Sequence, residues 1–261
     1  MSATLTKQVR WLVLPIAVIL AFGTWYLFDP GFSGNGKVVE TDPTQGEFGQ
    51  RVRDYLIQNP EVLVEAMQVL EDRRSVEEQN EAQAAIAQHR DELLFSESSP
   101  VVGNPQGEVT MVEFFDYNCP YCKKAMTEVR SLLDSDQNVR LVYREWPILG
   151  DGSIVAAKAA LASRNQGKYE DFHWALMGFN GPIKEATVFR IAQEIGLDLD
   201  RLRADMEAPE IIEHIETSMR LSQVFGFNGT PSFVIGDELA GGFVEKEQLE
   251  AFVENARARN H

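Results

Sequence analysis

The chain has 261 residues, 44% of them hydrophobic and 25% charged, enough for one large domain with added segments or two modest domains. A formal charge of −16 argues against nucleic acid as a partner, because phosphates are bound through Lys and Arg. The chain's two cysteines, Cys119 and Cys122, are too few for a disulfide-stapled fold, and with His89, His173, His214 and His261 scattered they offer no zinc-ligand spacing, so no metal is expected.

The first element is an apolar run over 11–28, free of charge, with Lys7 and Arg10 before it and Asp29 after it. As a helix it spans roughly 27 Å, enough to cross a hydrocarbon core, with the basic flank left in the cytoplasm. Residues 1–28 therefore read as an uncleaved membrane anchor, with everything later in an oxidising, export-side compartment. The alternative is a signal peptide cut after Ala21-Phe22-Gly23, which leaves a soluble exported protein. Residues 29–46, rich in Gly, Asp, Thr and Pro, read as a linker.

Residues 47–97 read as long, charged helix. Asn59-Pro60-Glu61 is a helix start, with a capping side chain, proline in the first turn and a carboxylate at the positive end of the dipole. Leu63, Met67 and Leu70 then follow at one-face spacing, and Val62, Val69 and Val76 recur every seven residues. The stripe either packs on the chain's own domain or joins copies of the chain. Self-association is favoured, because the segment has no core of its own.

Residues 96–107 read as a loop, with a domain boundary near 98. Beyond it the pattern is a buried strand at 109–115, a helix from 119 to about 133, and a strand at 139–145. Helices fill 153–225, broken at Gly167, Gly178, Gly196 and Pro209. A hairpin at 232–235 and 239–243 and a closing helix at 245–257 complete the order. Strands alternating with helices give an α/β domain over 98–258, with a helical insertion near 153–225.

The chemistry gathers where the first buried strand runs into Cys119-Pro120-Tyr121-Cys122. A thiol at a helix mouth meets the unpaired N–H groups and the dipole, which favour the thiolate by roughly 2–7 kcal/mol in such motifs. Pro120 in the first turn sacrifices no hydrogen bond. Cys122, one turn on, can close a disulfide with Cys119 and resolve a mixed disulfide. Tyr121 either tunes the pair from the surface or is an ordinary helix residue. Glu113 is either a buried proton acceptor for Cys122 or an outward-facing strand residue. Thr230-Pro231 opens the later strand, and a cis bond there would set the Thr230 backbone beside the cysteines, although few X–Pro bonds are cis.

Glu113-Phe114-Phe115-Asp116-Tyr117-Asn118-Cys119-Pro120-Tyr121-Cys122, a helical insertion, and Gly229-Thr230-Pro231-Ser232-Phe233 together resemble the DsbA-like group of exported thioredoxin-fold proteins, over roughly residues 98–258. The resemblance implies a thioredoxin-like fold preceded by the membrane helix and helical stalk, on the periplasmic side of the inner membrane, or soluble in the periplasm if the N-terminal helix is cleaved. It implies a nucleophilic Cys119, a buried acid at Glu113, a cis Pro231, and substrate contact at Thr230, Pro120 and Tyr121. No cofactor beyond the redox-active cysteine pair is implied. Tyr121 and Thr230 are similar to the isomerase and reductase branch, and the helical segment to ScsC-like trimers. The partners implied are exported proteins with cysteines, a membrane electron donor of the DsbD type, and further copies of the chain through 47–97. The retained anchor departs from that pattern. The competing functions are a DsbA-type dithiol oxidase and a thiol module for Cu(I).

Overall fold

The structure, a computed structural model, describes residues 43–259; the anchor expected at 1–28 and most of the linker lie outside the described residues. Among the described residues no helix is long and apolar enough to cross a membrane. They fall into two compact units, one ending at Met67 and the other beginning at Gln68.

Helix α1 (Pro43–Gln58) starts inside the expected linker, with proline at its N-terminus, and α2 (Glu61–Gln88) follows a break at Asn59-Pro60. The Asn59 side chain, expected to cap α2, turns back instead and donates to the Tyr55 carbonyl of α1 at 2.8 Å. It closes the helix that ends rather than the one that begins, adding a second bond to a carbonyl that already accepts the Asn59 backbone N–H at 2.8 Å. Phe48, Val52 and Tyr55 on α1, and Leu63, Met67 and Leu70 on α2, share one-face spacing and are exposed.

The second unit holds a five-stranded sheet in the order β1-β3-β2-β4-β5. Strands β2 (Val109–Phe115) and β3 (Val139–Glu145) run parallel, joined through α4 (Pro120–Ser135). Strand β4 (Ser232–Ile235) pairs antiparallel with β2, and β5 (Glu238–Gly241) with β4. Strand β1 (Val101–Gly103) falls inside the loop expected at 96–107. It is too short to show a period, and its pairing with β3, Val101 opposite Val142 and Gly103 opposite Arg140, is what makes it a strand. The insertion between β3 and β4 comprises α5 (Asp151–Ser163), a tight turn at Arg164–Gln166, α6 (Tyr169–Met177), α7 (Glu185–Glu194), α8 (Leu199–Asp205) and α9 (Pro209–Val224). Helix α10 (Lys246–Arg259) closes the fold against α4 and β2.

Alternation along β2 sorts its side chains between two cores. Met111 and Phe115 join Leu141, Phe233 and Leu249 in the larger cluster, while Val112 and Phe114 join Val142, Val234, Leu221 and Phe225 in the smaller one. Glu113 shares the face of Met111 and Phe115, the side on which Cys122 and Ala125 of α4 pack. The smaller cluster also contains Ile86 and Leu93, from α2 and from α3 (Arg90–Leu94). The last turns of the helical segment are thus built into the sheet's own core, and burying a side chain such as Leu93 contributes about 1.5–3 kcal/mol. Arg140 donates to the Leu94 carbonyl at 2.8 Å, and Arg144 to those of Glu92 and Leu93. Cations from β3 therefore meet the negative end of α3.

Candidate active site

Strand β2 delivers Glu113 to the interior and ends at Phe115, and Asp116-Tyr117-Asn118 turns the chain into α4. Asp116 is buried and accepts four hydrogen bonds: from Asn118 N at 2.7 Å, Ser153 Oγ at 2.7 Å, Ile148 N at 2.8 Å and Leu149 N at 3.0 Å. Asn118 extends the clasp, donating from Nδ2 to the Ile183 carbonyl at 3.2 Å and accepting from Ile183 N at 2.7 Å. Gly152 permits the approach, since a Cβ there would stand 2.1 Å from the Ile183 carbonyl oxygen. The turn before the cysteines is therefore stitched to both ends of the first half of the insertion. Neither Asp116 nor Asn118 receives a role from sequence reasoning. A carboxylate and an amide at a strand end are the available signal, but apart from the local Asn118 N their partners lie 32–65 positions away.

Cys119 caps α4 in an extended conformation with Pro120 behind it. It keeps 5% of its surface exposed yet lies at the protein's edge, whereas Cys122 is fully buried one turn deeper, and both are free thiols. Tyr121 points outward, 63% exposed, without a ring partner among the described residues. The Thr230–Pro231 bond is cis, and the Cys119 thiol donates to the Thr230 carbonyl at 3.1 Å.

The two thiols are driven apart electrostatically. The hydrogen bond with Cys122 pulls Cys119 down to about 6, against the opposing effect of burial, and the Thr230 side chain and the first N–H groups of α4 add to the pull. The hydrogen bond to the Thr230 carbonyl is made by the protonated thiol. Burial pushes Cys122 far up, reinforced by its bond to Cys119 and by the charges of Glu113 and Cys119. Burial also raises Glu113 to about 8, with the negative charge of Cys119 adding to it. Five of the expected site residues thus meet in one place: Cys119, Cys122, Glu113, Thr230 and Pro231.

The buried histidines serve the frame. His214 Nε2 lies 2.7 Å from Glu145 Oε2, and Tyr169 donates to Glu145 Oε1 at 2.6 Å. Burial pushes Glu145 up, but these bonds outweigh it and hold the carboxyl below its ordinary value. Burial lowers His173 to about 3, so a neutral ring bonds Tyr117 at 3.1 Å.

The model of the DSBA-like thioredoxin domain matches residues 110–255, and that of the copper resistance protein ScsC N-terminal domain matches 45–76. A thioredoxin-like oxidoreductase from Silicibacter pomeroyi is 63% identical, with a TM-score of 0.64 over 65% of this chain and 98% of that one. Proteus mirabilis ScsC in a transitional conformation is 27% identical, with a TM-score of 0.61 over 83% and 98%. A Na+/H+ antiporter of Salinispora arenicola is 32% identical over 60% of this chain. The chain spans about a quarter of the length of that curated relative (24%).

Proposed function

The chain belongs to the DSBA-like thioredoxin domain family of thiol–disulfide oxidoreductases, and from that premise we propose that it acts on exported proteins as a disulfide isomerase or reductase. The observation that carries the chemistry is the opposed protonation of Cys119 and Cys122, one favoured as thiolate at the edge and the other held as thiol beneath it. The Cys119 thiolate attacks one sulfur of a substrate disulfide. A Cys119–substrate S–S bond forms, the substrate S–S bond breaks, and the second substrate sulfur leaves as a thiolate and takes a proton from water.

Mixed-disulfide formation removes the Cys119 charge that helps hold the Glu113 proton. Glu113 then ionises more readily and can accept the proton of Cys122. The Cys122 thiolate attacks Cys119 Sγ, closing the Cys119–Cys122 disulfide and releasing the substrate thiolate. The substrate is reduced by two electrons and the protein oxidised by two. A dithiol donor of the DsbD type in the membrane restores the pair. When a substrate thiolate attacks the mixed disulfide first, the bond is isomerised with no net electron transfer. Thr230 offers its backbone to an extended substrate, while Pro120 and the outward Tyr121 flank the attacked sulfur.

Isomerase work is supported by the helices at 43–88, whose exposed apolar stripes suit association of copies, a trimer on the ScsC-like pattern. The export-side location, the anchor at 1–28 and the membrane donor belong to this same reading. The test compares refolding of a scrambled, disulfide-bonded substrate with oxidation of a reduced one. Recovery of the scrambled substrate by the reduced protein is expected; activity in oxidation alone would replace this reading with a dithiol oxidase.

A further inference from the structure

Beside Cys119 lies an open groove of about 560 Å³ whose lining does not include Thr230. Asn118 and Pro120, the residues on either side of Cys119, form one wall, and Leu149, Ile183 and Lys184 from the insertion form the other, with Lys123 at the rim. The volume lies in the range of sites that hold small ligands or a few side chains. The Asp116–Asn118 clasp fixes the far wall through Leu149 N and Ile183, so the groove is a built feature of the seam.

Its cations are unusual in a chain of net charge −16. Lys123 Nζ is drawn onto the rim by the carbonyls of Phe179 at 2.5 Å and Gly181 at 3.3 Å. Lys184 is exposed, and among the described residues neither ammonium is paired with a carboxylate. Partial burial of Lys123 makes loss of its proton easier, a cost that a carboxylate beside it would offset. Asp151 and Glu185 are close in sequence, but each stands in the first turn of its own helix, where the dipole holds a carboxylate.

We propose that this groove is a substrate subsite selecting polypeptides that carry a carboxylate side chain near the attacked cysteine. An apolar side chain of the substrate rests on Pro120, Leu149 and Ile183, and a neighbouring Asp or Glu meets Lys184 and Lys123. Thr230 then holds one side of the substrate cysteine and the groove the other. The inference rests on the thiol-exchange reading above.

The test measures second-order rates of the full chain, oxidised and in mild detergent, with cysteine peptides that carry Glu, Ala or Lys two residues from the cysteine. One series places the variable residue before the cysteine and another after it, and dithiothreitol, too small to span the groove, runs in parallel. The overall charge of the protein favours the Lys peptides, so a preference for Glu can come only from the local site. The expected result is that in one series the Glu peptide reacts about tenfold faster than the Lys peptide at low salt, with the gap closing at high salt. Lys184→Glu is expected to abolish or reverse that order. Equal rates, or faster Lys peptides in both series, overturn the subsite, as does an unchanged Glu preference in Lys184→Glu. A dithiothreitol rate no greater than that of a simple linear disulfide overturns the thiol-exchange reading with it.

Discussion

Between Cys119 and Cys122 the chain advances one turn of α4, which carries a thiol from the protein's edge to its interior. Reduced protein followed by thiolate absorbance should show one thiol titrating near pH 6, with Cys122 silent through pH 9. Cys122→Ala removes the largest pull on the thiolate and should move that midpoint up by about one pH unit, a charge-assisted hydrogen bond being worth about 1.5–3 kcal/mol. An unmoved midpoint would mean that the helix mouth and Thr230 set it without Cys122. Glu113 carries the opposite sign. Its folded pKa is raised, so its favourable contribution is complete below about 4.5 and is lost as pH rises through about 8. Glu113→Gln should therefore leave stability nearly unchanged at pH 5 and raise it by about 2–5 kcal/mol at pH 9, read by urea unfolding of the reduced protein. The same variant should slow resolution of a mixed disulfide by Cys122. The cysteine pair was plain in the sequence from its spacing and place. The burial of Glu113 is implied by the motif's resemblance alone, because alternation in a strand covered on both faces does not distinguish inward from outward.

The turn into α4 joins two elements through one carboxylate. Asp116→Ala leaves the N–H groups of Asn118, Ile148 and Leu149 without their shared acceptor, at about 1–3 kcal/mol for each one left buried and unpaired. A total loss of about 3–5 kcal/mol is expected by urea unfolding, with faster hydrogen exchange at 148–153. Exchange that quickens only in the distant helices would mean that the clasp is not what fixes the groove wall. Strands β2 and β3 and the helices of the insertion were legible because apolar runs and glycine or proline breaks mark them. Strand β1 was not, since Val101-Val102-Gly103 between two prolines becomes a strand only through its β3 neighbour. The clasp escaped for the same reason: Asp116 is local, but its partners arrive with the insertion.

For the whole molecule, the helical segment poses one question twice. Its far end is answered within the chain, where Ile86 and Leu93 enter the smaller core and Arg140 and Arg144 hold the last carbonyls of α3. Sequence reasoning favours self-association over packing on the chain's own domain for all of 47–97, because helical spacing shows a buried face without showing what covers it. Leu63 and Leu70 differ, being 49% and 50% exposed on a face that water alone would leave unfavourable. In a single chain, Leu63→Glu with Leu70→Glu should change stability by less than about 1 kcal/mol, as exposed positions do. In an associated chain the same charges are buried against their own copies, and association is lost. Light scattering of the full chain in mild detergent should therefore show several chains together before substitution and one after it. Recovery of scrambled substrate should fall at least tenfold in the double variant, while exchange with dithiothreitol keeps its rate, since nothing near Cys119 has changed. If the unsubstituted chain already scatters as one copy, the apolar stripe does not join copies, and cooperation between active sites cannot be the source of any isomerase activity.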